Sequence, residues 1–114
     1  MLNRLCQACL FLAVMGAVMP CVASAADLPV LNLTMKNGRL YPDTLEAPAS
    51  VRFKIIVRNK GPGPVELESR SLSIEKVLAA GAQSFVVVSP KNPGTYDLFD
   101  EFHPETGRGH VVVK

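Results

Sequence analysis

Short runs in which apolar and polar residues alternate dominate this chain, and turn residues separate them. Residues 31–35 alternate with the two-residue period of a half-buried strand, and residues 51–59 form the clearest run of this kind. Asn37-Gly38 is a strong two-residue hairpin signal, because both residues tolerate a positive φ. The other predicted strands include residues 65–68, 84–88, 96–99 and 109–113.

Seven or eight such strands, at a spacing of roughly ten residues, are typical of an all-β, Greek-key β-sandwich. The one helical candidate, residues 73–78, is too short and too rich in β-branched residues to favour a helix. Gly61-Pro62-Gly63-Pro64 is incompatible with either element and predicts a loop.

The first 25 residues have the pattern of a removable signal peptide. A short basic stretch precedes an apolar run at residues 5–18, and Ala23-Ser24-Ala25 provides the small residues of a cleavage site. The apolar run is shorter than the roughly 20 residues of a membrane-spanning helix. We therefore expect residues 1–25 to be a signal peptide and residues 26–114 to be one domain, exported to the periplasm and not embedded in the membrane after cleavage.

Removal of this segment changes the composition of the domain. All three cysteines, Cys6, Cys9 and Cys21, lie within it, so the mature domain can form no disulfide and offers no thiolate. The mature domain then has eleven basic and ten acidic residues, because Arg4 is lost with the segment. Such a near-neutral balance argues against nucleic acid or an anionic membrane surface as the partner.

The richest chemistry lies near the C-terminus, around His103. Asp97, Asp100, Glu101 and Glu105 crowd about this histidine within nine residues. Like charges at such density raise one another's pKa, and a cation relieves the repulsion. His103 is thus a candidate metal ligand; the alternative is a histidine that only hydrogen-bonds to a loop carbonyl.

Other candidate ligands are open to a structural interpretation as well. Glu66 and Glu68 are two residues apart on a strand and would project from the same face, either to share a cation or simply to face solvent. Met35 could act as a thioether ligand or fill the core. His110 lies in the last strand and is more typical of a surface position.

The chain resembles cupredoxin-like periplasmic proteins of the EfeO/FtrB type, which are encoded with Ftr-type iron permeases. The specific matching elements are the Phe102-His103-Pro104 loop and the segment from Glu66 to Ser69. The resemblance extends from about residue 40 to residue 114. Further matching segments are residues 41–49, 57–61, 75–77, 93–97 and 105–109.

By position, the resemblance places Asp100 where a blue-copper protein has cysteine, His103 at the second histidine and Glu66 at the first. It therefore implies a copper or iron ion held by oxygen and imidazole ligands, and it excludes a thiolate-based electron carrier. The candidate metal ligands are His103, Glu66, Asp100, Glu68, Glu101 and Met35.

The resemblance further implies a protein that assists the oxidation of ferrous iron or its delivery to an inner-membrane iron permease, together with other periplasmic iron-uptake components. The sequence has no hydrolase or transferase signature, since no nucleophile is paired with a base. Ferroxidase-like oxidation therefore remains the enzymatic possibility. The alternatives are a metal-free β-sandwich used for binding or assembly, and a periplasmic copper buffer.

Overall fold

A computed structural model describes residues 16–17 and 27–114. The predicted signal peptide, residues 1–25, lies outside the described residues except for residues 16 and 17. Within the described part of the chain the molecule is a β-sandwich without helices, which confirms the predicted fold class. None of these residues forms a helix with the length and apolar character needed to cross a membrane.

The first layer is a four-stranded mixed sheet in the order β2-β1-β4-β7. β1 pairs with β2 antiparallel through the Asn37-Gly38 turn, as the hairpin signal predicted, and pairs with β4 in parallel. β4 and β7 are antiparallel. The strands are β1 (Val30–Lys36), β2 (Arg39–Tyr41), β4 (Phe53–Asn59) and β7 (Gln83–Val88).

The second layer is a five-stranded mixed sheet in the order β3-β9-β8-β5-β6. β3 runs parallel to β9, and the other neighbours are antiparallel. The strands are β3 (Thr44–Ala47), β5 (Val65–Ser69), β6 (Ile74–Leu78), β8 (Gly94–Asp100) and β9 (Arg108–Val113).

Residues 27–114 therefore form nine strands, compared with the seven or eight expected from the sequence. β2 and β3 are short strands on either side of the Pro42-Asp43 bend, where turn residues obscure the alternation. The segment considered as a helical candidate is strand β6, because its β-branched residues suit a pleated surface.

Strict alternation of side chains builds the core between the two layers. Phe53, Ile55 and Val57 of β4 are completely buried, while the residues between them are only partly covered. β5 alternates in the same way and presents Leu67 to the core from the opposite sheet. Each such side chain contributes roughly 1.5–3 kcal/mol by leaving water. This packing fixes the position of the loop that follows β8, which carries the candidate site.

Candidate functional site

Asp100 is the last residue of β8, and its side chain points into the protein. It is only 1% exposed, although carboxylates are rarely buried without partners. One oxygen, Oδ1, accepts hydrogen bonds from the backbone N–H groups of Glu66 and Phe102, each at 3.0 Å. The carboxylate therefore links β5 to the loop after β8, with several donors compensating for its burial.

The second oxygen of Asp100 holds the imidazole of His103. The distance between Oδ2 and Nδ1 is 2.6 Å, which is short and typical of a charge-assisted hydrogen bond. Because a carboxylate oxygen accepts, Nδ1 carries the proton. The lone pair of the neutral ring is then on Nε2. The His103 side chain is 36% exposed, so this ring reaches from a buried anchor to the surface.

Two glycines surround the Asp100–His103 pair closely. A Cβ added at Gly107 would lie 2.6 Å from the Cβ of Asp100, and one added at Gly38 would lie 2.9 Å from Cδ2 of His103. Gly38 also has a φ of 69°, which favours glycine. The Thr106 hydroxyl donates to the carbonyl of Gly38 at 2.6 Å. The β1–β2 turn and the loop after β8 thus form one cradle for the imidazole.

Backbone hydrogen bonds close the loop on itself. The N–H of His103 donates to the carbonyl of Asp100 at 3.0 Å, and the N–H of Gly107 donates to the carbonyl of His103 at 2.8 Å. Arg108 Nε donates to the carbonyl of Pro104 at 2.7 Å. His103 and Glu105 both line a shallow surface depression on this loop. The loop is therefore built to present one imidazole, with a carboxylate at its side.

A second group of charges, which we call the acidic quartet, lies on the outer surface of the five-stranded sheet. Glu66 and Glu68 lie between the buried positions of β5, so they project from its outward face. Glu75 is the cross-strand partner of Glu68, and the N–H of Glu101 donates to the carbonyl of Glu66. The acidic quartet consists of Glu66, Glu68, Glu75 and Glu101.

The carboxyl groups of this quartet affect one another's protonation. A hydrogen bond with Glu75, together with partial desolvation and repulsion from its neighbours, raises the pKa of Glu66. A hydrogen bond with Glu68 and repulsion from the same group raise the pKa of Glu101, while Arg70 opposes that shift. Crowding thus favours protonation on the outer face of the sheet, and Glu101 is the one member of the quartet that the sequence placed in the acidic group around His103.

The structure separates the residues that the sequence proposed as one site. Asp100 contacts the backbone N–H of Glu66, whereas the Glu66 carboxylate lies on the opposite face of the sheet. The expected convergence of the Glu66 and Asp100 carboxylates on one ion is therefore not what the geometry provides. Met35 lies in the core at 1% exposure. His110 is on the surface, with Nε2 at 3.5 Å from Oδ1 of Asp97.

Sequence reasoning missed the residues that hold the imidazole in place. The sequence indicates only a hairpin turn at Asn37-Gly38, and it assigns no role to Gly107. Their contact with the final loop is a long-range one, between residues 68 apart along the chain in the case of Thr106 and Gly38. No local pattern encodes such a contact. The one available signal was the pair of glycines flanking Arg108.

Comparison with known proteins agrees with this architecture. A family model described as the cupredoxin-like domain matches residues 8–113. The chain belongs to the cupredoxin-like domain family. Uncharacterized protein RP394 of Rickettsia prowazekii is 29% identical over 83 residues, covering 73% of this chain and 66% of that protein. The chain thus spans slightly less than two thirds of this relative's length.

Several solved structures superpose on about three quarters of the chain. The metal-binding domain of the Cu(I)-exporting ATPase CopA from Streptococcus pneumoniae gives a TM-score of 0.66 at 11% identity, covering 75% of this chain and 84% of that one. Auracyanin from Roseiflexus castenholzii gives a TM-score of 0.62 at 11% identity, covering 75% of this chain and 96% of that one. A purple cupredoxin from Nitrosopumilus maritimus gives a TM-score of 0.54 at 18% identity, covering 73% of this chain and 98% of that one. At these identities the likeness concerns the fold.

The residues of this cupredoxin-like domain do not fit a blue-copper centre. Such a centre needs two histidines, a thiolate and a weak axial ligand. The described residues include no cysteine, and Nδ1 of His103 is already bonded to Asp100. Within residues 16–17 and 27–114 no three His, Cys, Asp or Glu side chains are grouped so as to hold a metal ion. Any metal chemistry here must therefore use a different set of atoms.

Proposed function

We propose that this cupredoxin-like protein is exported to the periplasm, where it binds a metal cation through Nε2 of His103 and transfers it to an inner-membrane iron permease. The proposal depends chiefly on one observation, the 2.6 Å hydrogen bond between Asp100 and Nδ1 of His103. Metal-binding histidines commonly donate their second N–H to a carboxylate, which fixes the tautomer and makes the free nitrogen a better ligand.

The character of the site supports transfer in preference to storage. One imidazole nitrogen, with the nearby Glu105 carboxylate and solvent, would complete only part of a coordination sphere. An ion bound in this way exchanges readily. Nitrogen and oxygen donors also favour Cu(II) or Fe(III) over Cu(I), which prefers sulfur.

The iron-permease partner and the periplasmic location derive from the sequence. They are supported by the signal-peptide pattern of residues 1–25 and by the resemblance around Phe102-His103-Pro104. Oxidation of ferrous iron is the second part of this proposal, with dioxygen or a redox protein taking the electron. A carboxylate such as Glu105 favours this direction because hard ligands stabilise Fe(III).

The geometry also favours a second candidate, a metal-free binding module. Both oxygens of Asp100 already have N–H donors, so the interior of the loop is satisfied without an ion. In this case His103 would only support the loop. The two candidates differ in whether Nε2 of His103 binds a metal ion.

Calorimetric titration with Cu(II), together with a visible spectrum, tests the proposal. We expect one Cu(II) per chain without an intense blue band, since no thiolate is present. His103→Ala should weaken binding by about tenfold or more, because loss of a direct ligand should exceed the 10–100-fold attributed to supporting residues. His110→Ala, the matched control on the outer face, should bind like the wild type. No binding, or equal loss in both variants, would favour the metal-free module.

The cellular part of the proposal has its own test. We expect the protein in the periplasmic fraction, and we expect iron uptake to fall in cells that lack the gene. Reintroduction of the wild-type gene should restore uptake, whereas the His103→Ala gene should not. Normal uptake without the gene would contradict the permease partnership and leave the copper-binding result intact.

A further inference from the structure

The two sheets of the sandwich carry opposite charges. The four strands β2, β1, β4 and β7 contain four basic residues and no acidic residue. The five strands of the other sheet contain six acidic residues and two basic ones. The near-neutral balance of the whole domain therefore conceals a separation of charge across the molecule.

The basic residues all lie on the outward side of the four-stranded sheet, which we call the basic face. Register places Arg58 beside Thr34 and Lys36 beside Arg39, while Lys54 occupies the far end of the same strand as Arg58. An additional cation, Lys60, follows β4 directly. The basic face is defined by Lys36, Arg39, Lys54, Arg58 and Lys60.

These cations have no acidic partner within the described part of the chain. None of the ion pairs there includes a residue of the basic face. Instead, Arg58 donates to the side-chain oxygen of Asn32 at 3.1 Å, and Nζ of Lys54 lies 4.2 Å from the centre of the Phe85 ring. Their charges therefore remain available to an anionic surface.

Exposed apolar side chains accompany the cations. Of the seven large hydrophobic residues that are exposed in the described part of the chain, four lie on this face: Val30, Tyr41, Phe85 and Val87. Phe85 is 52% exposed at the edge strand β7. Cations interspersed with aromatic and aliphatic groups match the boundary between phosphate headgroups and acyl chains.

We propose that the basic face binds an anionic phospholipid surface. The cations are distributed over three adjacent strands and alternate with apolar groups, which suits a laterally uniform layer of phosphates better than a few discrete carboxylates. The acidic quartet, on the opposite sheet, is then directed away from the bilayer, so the charge separation also sets the orientation. This binding is independent of the metal site. It would place an exported protein at the membrane that holds its proposed permease.

Sedimentation with lipid vesicles tests this inference. The purified protein should bind vesicles of phosphatidylglycerol and phosphatidylcholine at low salt, and binding should weaken as salt screens the charges. Vesicles of phosphatidylcholine alone should bind at least tenfold less. Replacing Lys36→Gln and Lys60→Gln together should reduce partitioning about 25-fold, at roughly fivefold for each cation near the surface.

The matched control makes the same change in net charge at two positions that directly follow strands β5 and β9 of the other sheet. Arg70→Gln with Lys114→Gln removes two exposed cations that pair with Glu68 and Glu46. This variant should partition within about twofold of the wild type, and circular dichroism should show all three proteins folded. Equal loss in both double variants, or no binding to anionic vesicles, would overturn the proposal. Binding to polyglutamate but not to vesicles would also overturn it and indicate an acidic protein partner.

Discussion

At the scale of single residues, Asp100 and His103 distinguish this domain from a blue-copper protein. The position that the resemblance assigns to a thiolate holds a buried carboxylate with N–H donors from Glu66, Phe102 and His103. Its geometry makes Asp100 a residue that positions the imidazole. The tautomer of His103 follows from this contact, and with it the nitrogen that faces solvent.

Asp100→Asn should separate the fold from the function of the pair. The amide keeps one oxygen for the N–H groups of Glu66 and Phe102, but it presents an NH₂ group to Nδ1 of His103. The ring must then carry its proton on Nε2. We expect the variant to remain folded, with a loss of about 1–3 kcal/mol in unfolding free energy, and to bind Cu(II) at least about tenfold more weakly. Chemical denaturation and calorimetry measure the two effects. Wild-type affinity for Cu(II) would contradict a role for the tautomer.

At the scale of elements, the turn between β1 and β2 supports the loop after β8. Gly38 contacts the His103 ring and accepts a hydrogen bond from Thr106, so two segments distant in sequence restrain one side chain. Such contacts make the loop rigid without a metal. They also leave little space for a Cβ at position 38.

Substitution at two glycines tests this support. Gly38→Ala introduces a Cβ 2.9 Å from the His103 ring, whereas Gly63→Ala meets no atom within 4 Å; both residues have a positive φ, 69° and 77°. The backbone strain is therefore comparable, and the difference isolates the steric contact. We expect Gly38→Ala to destabilise the protein by about 1–3 kcal/mol more than Gly63→Ala, as overpacking does. Equal unfolding free energies would show that the turn does not restrain His103.

The acidic quartet should make the stability depend on pH. The pKa values of Glu66 and Glu101 are raised in the folded protein above their ordinary value of 4.5. The folded state therefore binds protons more readily than the unfolded state, so stability is greatest below about pH 4.5 for these groups and is lost as pH rises through the raised values. We expect a higher Tm at pH 5 than at pH 7.

Glu66→Gln provides the control for this trend. An uncharged amide removes the repulsion within the quartet, so the gain in Tm between pH 7 and pH 5 should shrink. Asp43→Asn, which changes a carboxylate in the bend between β2 and β3, should leave the gain unchanged. A Tm that falls on acidification in the wild type would contradict the role assigned to the quartet.

At the scale of the whole molecule, alternation along the chain was enough to predict the sandwich. Residues 31–35, 51–59 and 84–88 became β1, β4 and β7 with small changes at their ends. The candidate site was harder to predict than the fold. A strand pattern shows which residues share a face, but it does not show which face a residue at the end of a strand occupies. Asp100 looks like surface charge in sequence, and only its donors from β5 and the loop account for its burial.

The same limitation applies to charge. A net balance near zero predicts no attraction to an anionic surface, yet the sheets divide the charges between two faces. The assignment of Lys54 and Arg58 to the same sheet as Lys36 depends on the parallel pairing of β1 and β4. Sequence alternation carries no information about which strands become neighbours.

The nitrogen resonances of the histidine rings test the central claim most directly. A long-range proton–nitrogen NMR spectrum, recorded without metal and with one equivalent of Zn(II), distinguishes the two tautomers and identifies the coordinating atom. We predict that His103 is protonated on Nδ1 without metal and that Zn(II) shifts its Nε2 resonance while the His110 resonances stay in place. A His103 ring protonated on Nε2, or one unaffected by Zn(II), would contradict the account.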